Sequence, residues 1–251
     1  MRDLLIAGNW KMNGNSAMVS ELVNGIIEGF NNSDSCDLIL CPPFPYLNLV
    51  SQGIMNSSIS LGAQNLSQHT SGPYTGEVSA EMLKDMGCQY VIVGHSERRV
   101  LMSENNTIIT KKFITAIKNH LKPILCIGES LDERKQGLTA SVISKQLNAV
   151  LNKIDSNDLK NSIIAYEPVW AIGSGLTATP DEAQDVHSHI RDEINKLSKK
   201  VAENIQILYG GSVNGSNAGN LFSMPDIDGG LIGGASLTAL EFLSIAKATI
   251  K

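Results

Sequence analysis

Asn9 and Lys11, Asn65, His95 with Ser96 and Glu97, Glu129, Glu167, Gly210-Gly211-Ser212 and Gly233-Gly234 share one property: each closes or follows a short apolar run. A carboxylate suits proton abstraction, a histidine suits proton transfer or polarisation of a carbonyl, and a lysine supplies fixed charge. Glycine pairs leave backbone N–H groups free to face an anion. Taken singly, each has a plainer role. Lys11 reads as a solvated surface lysine, His95 as a hydrogen-bonded structural histidine, Glu167 as a polar strand end and the glycines as corners. Their joint occurrence at the ends of apolar runs is what argues for a site.

The stretch AYEPVWAIGSGLTATP, residues 165–180, is the least ordinary of these. Glu167 ends an apolar run and is followed at once by Pro168. Val169, Trp170, Ala171 and Ile172 look like core, yet they adjoin Gly173-Ser174-Gly175. Thr179-Pro180-Asp181-Glu182 then carries a helix start, with Thr179 as cap, Pro180 in the first turn and Glu182 positioned to close a capping box.

Positioning these residues requires a repeating scaffold. Strand-like runs occur at Leu4–Asn9, Asp37–Cys41, Ser60–Ala63, Tyr90–Gly94, Pro123–Ile127, Ser162–Tyr166, Ile205–Tyr209 and Gly229–Ile232. Most are continuously apolar, as in parallel strands covered on both faces. Between them, Val19, Leu22, Val23, Ile26, Ile27 and Phe30 fall at helical spacing, as do Ala183, Val186, Ile190, Ile194, Leu197 and Val201. Ile143, Leu147, Val150, Leu151 and Ile154 form a third stripe, downstream of a capping-box start at Ser130-Leu131-Asp132-Glu133. Eight strands alternating with about eight helices suit an open doubly wound sheet or a (β/α)₈ barrel. An open sheet binding a dinucleotide calls for G-x-G-x-x-G after its first strand, and Gly8-Asn9-Trp10-Lys11 is not that. The barrel is favoured, as a single domain over residues 1–251, with its chemistry at the C-terminal ends of the strands.

Composition narrows the function further. The chain has 251 residues, 42% apolar and 18% charged, with a formal net charge of −5. That balance disfavours nucleic acid and anionic membranes as partners, but a locally positive site still accommodates an anionic substrate. The N-terminal apolar run is soon interrupted by Asn9 and Lys11, unlike a signal peptide, and no run approaches the roughly 18 residues of a membrane span. The 4 cysteines, Cys36, Cys41, Cys88 and Cys126, lack zinc or C-x-x-C spacing, which points to reduced thiols and a cytoplasmic setting. His187 and His189 project to different sides of a helix, so no metal site is expected.

GNWKMN (8–13), AQN (63–65), YTGEVS (74–79), VGHSERR (93–99), ILCIGE (124–129), YEPVWAIG (166–173), YGGSV (209–213) and DGGLIGGASL (228–237) resemble triosephosphate isomerase, in order and over nearly the whole chain. The resemblance implies a TIM barrel that interconverts dihydroxyacetone phosphate and D-glyceraldehyde 3-phosphate through an enediolate, without a cofactor. It makes Glu167 the base, His95 a neutral electrophile, Lys11 the fixed positive charge and Asn9 its orienting partner or a donor to the substrate. Glu97 becomes a buried partner of Lys11 and Ser96 in a supporting role, with proton transfer as the alternative. Gly173, Ser212, Gly233 and Gly234 supply phosphate-binding N–H groups, to which Ser212 can add its hydroxyl. Pro168 through Ala178 become a lid, in which Pro168-Val169-Trp170 is the first hinge and Leu176-Thr177-Ala178 the second. Ala171, Ile172 and Gly173 then close over the substrate, with Ser174 and Gly175 between.

The lid reads GSGLTA where the family commonly has GTGKTA, so Ser174 and Leu176 depart from the pattern. The resemblance also implies a homodimer, with the loop Gln64–Glu77 and its tip near Thr75 reaching into the partner; an ordinary surface loop remains the alternative. Two other functions are open to the residues themselves: a Schiff-base aldolase with Lys11 as nucleophile, or a phosphate-binding barrel without chemistry.

Overall fold

A computed structural model describes residues 2–30, 36–171 and 177–248. The strands are β1 (Leu4–Asn9), β2 (Cys36–Cys41), β3 (Ser60–Ala63), β4 (Tyr90–Val93), β5 (Lys122–Ile127), β6 (Ile163–Tyr166), β7 (Ile207–Tyr209) and β8 (Gly229–Ile232). They pair in sequence order, all parallel, and β8 closes on β1 with Leu5 opposite Gly229 and Gly8 opposite Ile232.

Strand residues alternate between two apolar environments, as the two-residue period of a strand requires. Leu5, Ala7, Ile39, Cys41, Ile92, Ile124, Cys126, Ala165, Leu208 and Leu231 fill the barrel interior. Their neighbours Ile6, Leu38, Leu40, Val91, Val93, Leu125, Ile164 and Ile207 join the larger core with the helices. This is why the strands read as unbroken apolar runs: both faces are covered.

The boundaries differ from expectation where a local hydrogen bond claims a terminal residue. The Ile205 N–H caps the helix Lys199–Asn204 by donating to Val201 O, so β7 begins only at Ile207. Ser162 folds back, with both its N–H and its hydroxyl donating to Leu159 O, and β6 starts one residue later. Gly94 has φ +74, a left-handed conformation that ends β4 at Val93.

The helices are also more numerous than the expected eight, with twelve α-helices among the described residues. The Ser130 capping box is present but starts a separate short helix, Leu131–Lys135, and Gly137 at φ +70 separates it from Thr139–Leu151. The Thr179 box opens Pro180–Leu197 as expected. Among the described residues, no helix is long and apolar enough to cross a membrane.

Candidate active site

Asn9 is the last residue of β1, Glu167 follows β6 directly, and His95 and Glu129 stand just beyond β4 and β5. All therefore sit at the C-terminal end of the barrel. A cavity of about 290 Å³ opens there. Asn9, Lys11, His95 and Glu167 line it together with Gly210, Gly211, Ser212, Val213, Leu231, Gly233, Gly234 and Ala235.

Glu167 is 2% exposed and fully engaged. One carboxylate oxygen meets His95 Nε2 at 2.9 Å, and the other accepts the Ser96 N–H at 2.8 Å. Gly210 leaves room for this side chain: a Cβ there would stand 2.9 Å from Glu167 Cγ. Burial by itself raises the carboxyl pKa, but His95, the Ser96 N–H and Lys11 outweigh it and hold Glu167 below its ordinary value. The carboxylate is thus ionised, as a base requires.

His95 caps the helix Ser96–Leu101, and its Nδ1 accepts the Glu97 N–H at 3.3 Å. With Nδ1 occupied as an acceptor, the single proton of a neutral ring belongs on Nε2, which faces Glu167 and the cavity. Burial lowers the affinity of His95 for a second proton, yet the Glu167 carboxylate overturns this and the net direction is upward. That second proton would have to occupy Nδ1, against the Glu97 N–H. The geometry therefore favours the neutral ring.

Lys11 adopts φ 53, unusual for a residue with a side chain. Its N–H donates to Asn9 Oδ1 at 3.0 Å, its carbonyl accepts from Gln64 Nε2 at 2.8 Å, and its ammonium meets Glu97 at 2.5 Å. Lys11 is thereby aimed along the cavity, with Cε 3.4 Å from where a Gly233 Cβ would be. The Glu97 expectation needs correcting in two respects. Its side chain is 44% exposed rather than buried, and the Ser96 N–H goes to Glu167. Glu97 stands at the rim, where Lys11 and His95 also border a larger, more apolar cavity of about 610 Å³ with Met12, Phe44, Leu101 and Met102.

Beyond β8, Gly234–Leu237 is a single 3-10 turn, too short for an appreciable macrodipole. Any anion held there relies on individual N–H groups. The Ser212 hydroxyl donates to Ala171 O at 3.0 Å.

Residues next to the expected hinges make contacts that the sequence did not reveal. Glu129 is wholly buried and accepts from Tyr166 OH and Trp170 Nε1, each at 3.0 Å. Arg134 stacks over the Trp170 ring at 4.6 Å and pairs with Glu182 at 2.6 Å. On the far stem the Ala178 N–H donates to Tyr209 OH at 3.4 Å. Glu129 had a signal in its strand-end position. Arg134 had none, because a basic residue in a short helix is ordinary. Of the expected lid, Pro168–Ala171, Thr177 and Ala178 are described, whereas Ile172, Gly173, Ser174, Gly175 and Leu176 lie outside the described residues, as does the phosphate contact expected of Gly173.

Cys126 is buried inside the barrel, and burial followed by the charge of Glu167 pushes its thiol pKa well up. It is packing, not a nucleophile. Among the described residues, no three His, Cys, Asp or Glu side chains gather as metal ligands.

The family model described as triosephosphate isomerase matches residues 4–249. A triosephosphate isomerase of Nitrosomonas eutropha is 52% identical over 243 residues, covering 97% of this chain and 96% of the relative. One of Methylococcus capsulatus is 50% identical over 245 residues, covering 98% of each. One of Shewanella oneidensis is 50% identical over 252 residues, covering 98% of this chain and 96% of the relative.

Proposed function

The chain belongs to the triosephosphate isomerase family and interconverts dihydroxyacetone phosphate and D-glyceraldehyde 3-phosphate, and we propose that Glu167, His95, Lys11 and Asn9 carry the reaction. The observation that supports this assignment is the Glu167–His95 contact of 2.9 Å in a cavity also lined by Gly210, Gly211, Gly233 and Gly234.

Glu167 removes a proton from the carbon beside the substrate carbonyl and returns it to the neighbouring carbon. The electron pair left behind forms the enediolate, and the His95 Nε2–H donates to the oxygen on which charge develops. A neutral imidazole suits this task because its acidity is closer than imidazolium's to that of an enediol. Substrate entry requires Glu167 to exchange the Ser96 N–H for the reacting C–H. Lys11, oriented through Asn9, supplies positive charge. The N–H groups of Gly173, Ser212, Gly233 and Gly234 hold the phosphate, so an acidic protein accommodates a dianion without a basic patch. Moving a proton within one molecule changes no oxidation state of the pair, so this chemistry needs no redox cofactor. Closing residues 168–178 over the site excludes water from the enediolate.

A coupled assay that consumes NADH as triose phosphate is isomerised tests the assignment. Turnover by the purified chain and its collapse in Glu167→Gln are expected, while full turnover by that variant would refute the role of Glu167. The Schiff-base alternative is weakened by the Lys11–Glu97 ion pair, which occupies the amine; a substrate adduct trapped by borohydride would revive it.

A homodimer fits the same reading. The loop Gln64–Glu77 is largely exposed around Thr75, and the 610 Å³ cavity beside Lys11, together with the 96%-exposed Met12, suits a partner's loop. Sedimentation at micromolar concentration should give a dimer, and a fully active monomer would exclude it. The thiols Cys41, Cys88 and Cys126 are free and buried, which supports a reducing, cytoplasmic setting.

A further inference from the structure

We propose that Gln146 is a positioning residue that fixes the backbone of Glu167 through Gly128, an inference that rests on reading Glu167 as the base. Gln146 lies on the helix Thr139–Leu151, outside the barrel and away from the cavity lining. Its carboxamide bridges the two polar backbone groups of one residue. Oε1 accepts the Gly128 N–H at 2.9 Å, and Nε2 donates to the Gly128 carbonyl at 2.8 Å. The side chain acts as a one-residue strand partner at the end of β5.

Gly128 lies flat on the residue that matters most. A Cβ built on it would fall on the Glu167 carbonyl oxygen, so no side chain fits there. The neighbours of Gly128 are tied to the same segment: Ile127 O accepts the Glu167 N–H at 2.8 Å, and Glu129 O accepts the Val169 N–H at 3.1 Å. Residues 127–129 therefore form a rail along which Glu167 is mounted, and Gln146 holds its central member. Only a side chain offering both a donor and an acceptor at this reach satisfies both groups. Asn is shorter, and ionised Glu lacks the donor. Without the carboxamide, the peptide groups around Gly128 lose their partners, the rail turns, and the carboxylate leaves its reacting position. The phosphate-binding residues Ser212, Gly233 and Gly234, beyond β7 and β8, are not mounted on this rail.

The test uses the full-length chain with Gln146→Leu, which removes both hydrogen bonds, and Gln146→Glu, which keeps only the acceptor. Steady-state kinetics are read with inorganic phosphate as competitive inhibitor. A displacement of the base by a fraction of an ångström should lower kcat in Gln146→Leu about tenfold to a hundredfold. KM and the phosphate inhibition constant should change much less than kcat, because three of the four phosphate-binding residues, Ser212, Gly233 and Gly234, follow β7 and β8. Gln146→Glu should fall between Gln146→Leu and the parent, and it carries the test if Gln146→Leu fails to fold. An unchanged kcat in both variants overturns the inference. So does a loss matched by weaker phosphate inhibition, since that would mark general loosening. Gln146→Leu in a Glu167→Gln background should cost little more than Glu167→Gln alone. Full turnover by Glu167→Gln would instead defeat the assignment of the base, which keeps the two failures distinct.

Discussion

Charged side chains cluster at both mouths of the barrel, and they are arranged in opposite ways. At the N-terminal mouth, Arg191 reaches Asp226 at 2.6 Å and Asp228 at 2.7 Å, and donates to the carbonyls of Ala202 and Ile205. Arg2 joins at 2.6 Å from Asp228, which also accepts the Ile207 N–H. Each charge is answered by protein. At the C-terminal mouth, Glu167, His95 and Lys11 also have protein partners, but they border a cavity, where a ligand's groups can take those partners' place. The same residue types thus close on one another where no cavity reaches them, and stay exchangeable where one does.

If that contrast holds, substitutions at the two mouths should fail in different assays. The largest effect is expected for Glu167→Gln: kcat falls at least about 10²- to 10⁴-fold, with no loss of thermal stability. Asp228→Asn should do the reverse. Removing a buried partner of two arginines should cost about 3 kcal/mol in denaturant unfolding, while kcat per folded molecule is retained. Equal damage to activity by both variants would dissolve the distinction between the mouths.

His187 sharpens the comparison because it stands between them. It packs edge-on against Tyr166 at 5.8 Å and sets Nδ1 3.1 Å from Asp226 O. Burial, only partly offset by the Asp226 carbonyl, pushes its pKa down to about 3. The unfolded chain takes up this proton near pH 6.5, whereas the folded chain does so only near 3. The unfolded state binds more protons in between, so stability is full above about pH 6.5 and drains as pH falls. Between pH 7 and 5 this site should account for at most about 2 kcal/mol, a gap that His187→Gln should abolish in urea titrations at the two pH values. The smallest effect is expected of Ser212→Ala, about 1 kcal/mol, read as a several-fold rise in KM at similar kcat.

Much of this arrangement was legible beforehand for a physical reason. A parallel strand covered on both faces is apolar throughout, so its end is marked by the first polar residue, and in a barrel that residue is at the catalytic mouth. Asn9, His95 and Glu167 were found that way. The contacts among them were not, because His95 and Glu167 meet only once the barrel has closed. Glu97 was misjudged because helical position does not tell whether a carboxylate points under the site or along its rim. Arg134 and Gln146 were invisible: each acts through one distant partner and leaves no periodic trace. The strand starts at Ser162 and Ile205 were missed because a single capping or turn hydrogen bond outweighs β propensity there.

One detail of the site has a kinetic meaning. The hydroxyl of Ser212 owns a single proton, and the Ala171 carbonyl accepts it. An incoming phosphate oxygen that recruits this hydroxyl is a rival for the same proton, so arrival of the substrate and release of the loop stem become two halves of one exchange. Because one acceptor replaces another, the stem lets go without a donor being left bare. The Ser212 hydroxyl therefore keeps an acceptor throughout the exchange, on the way in and on the way out.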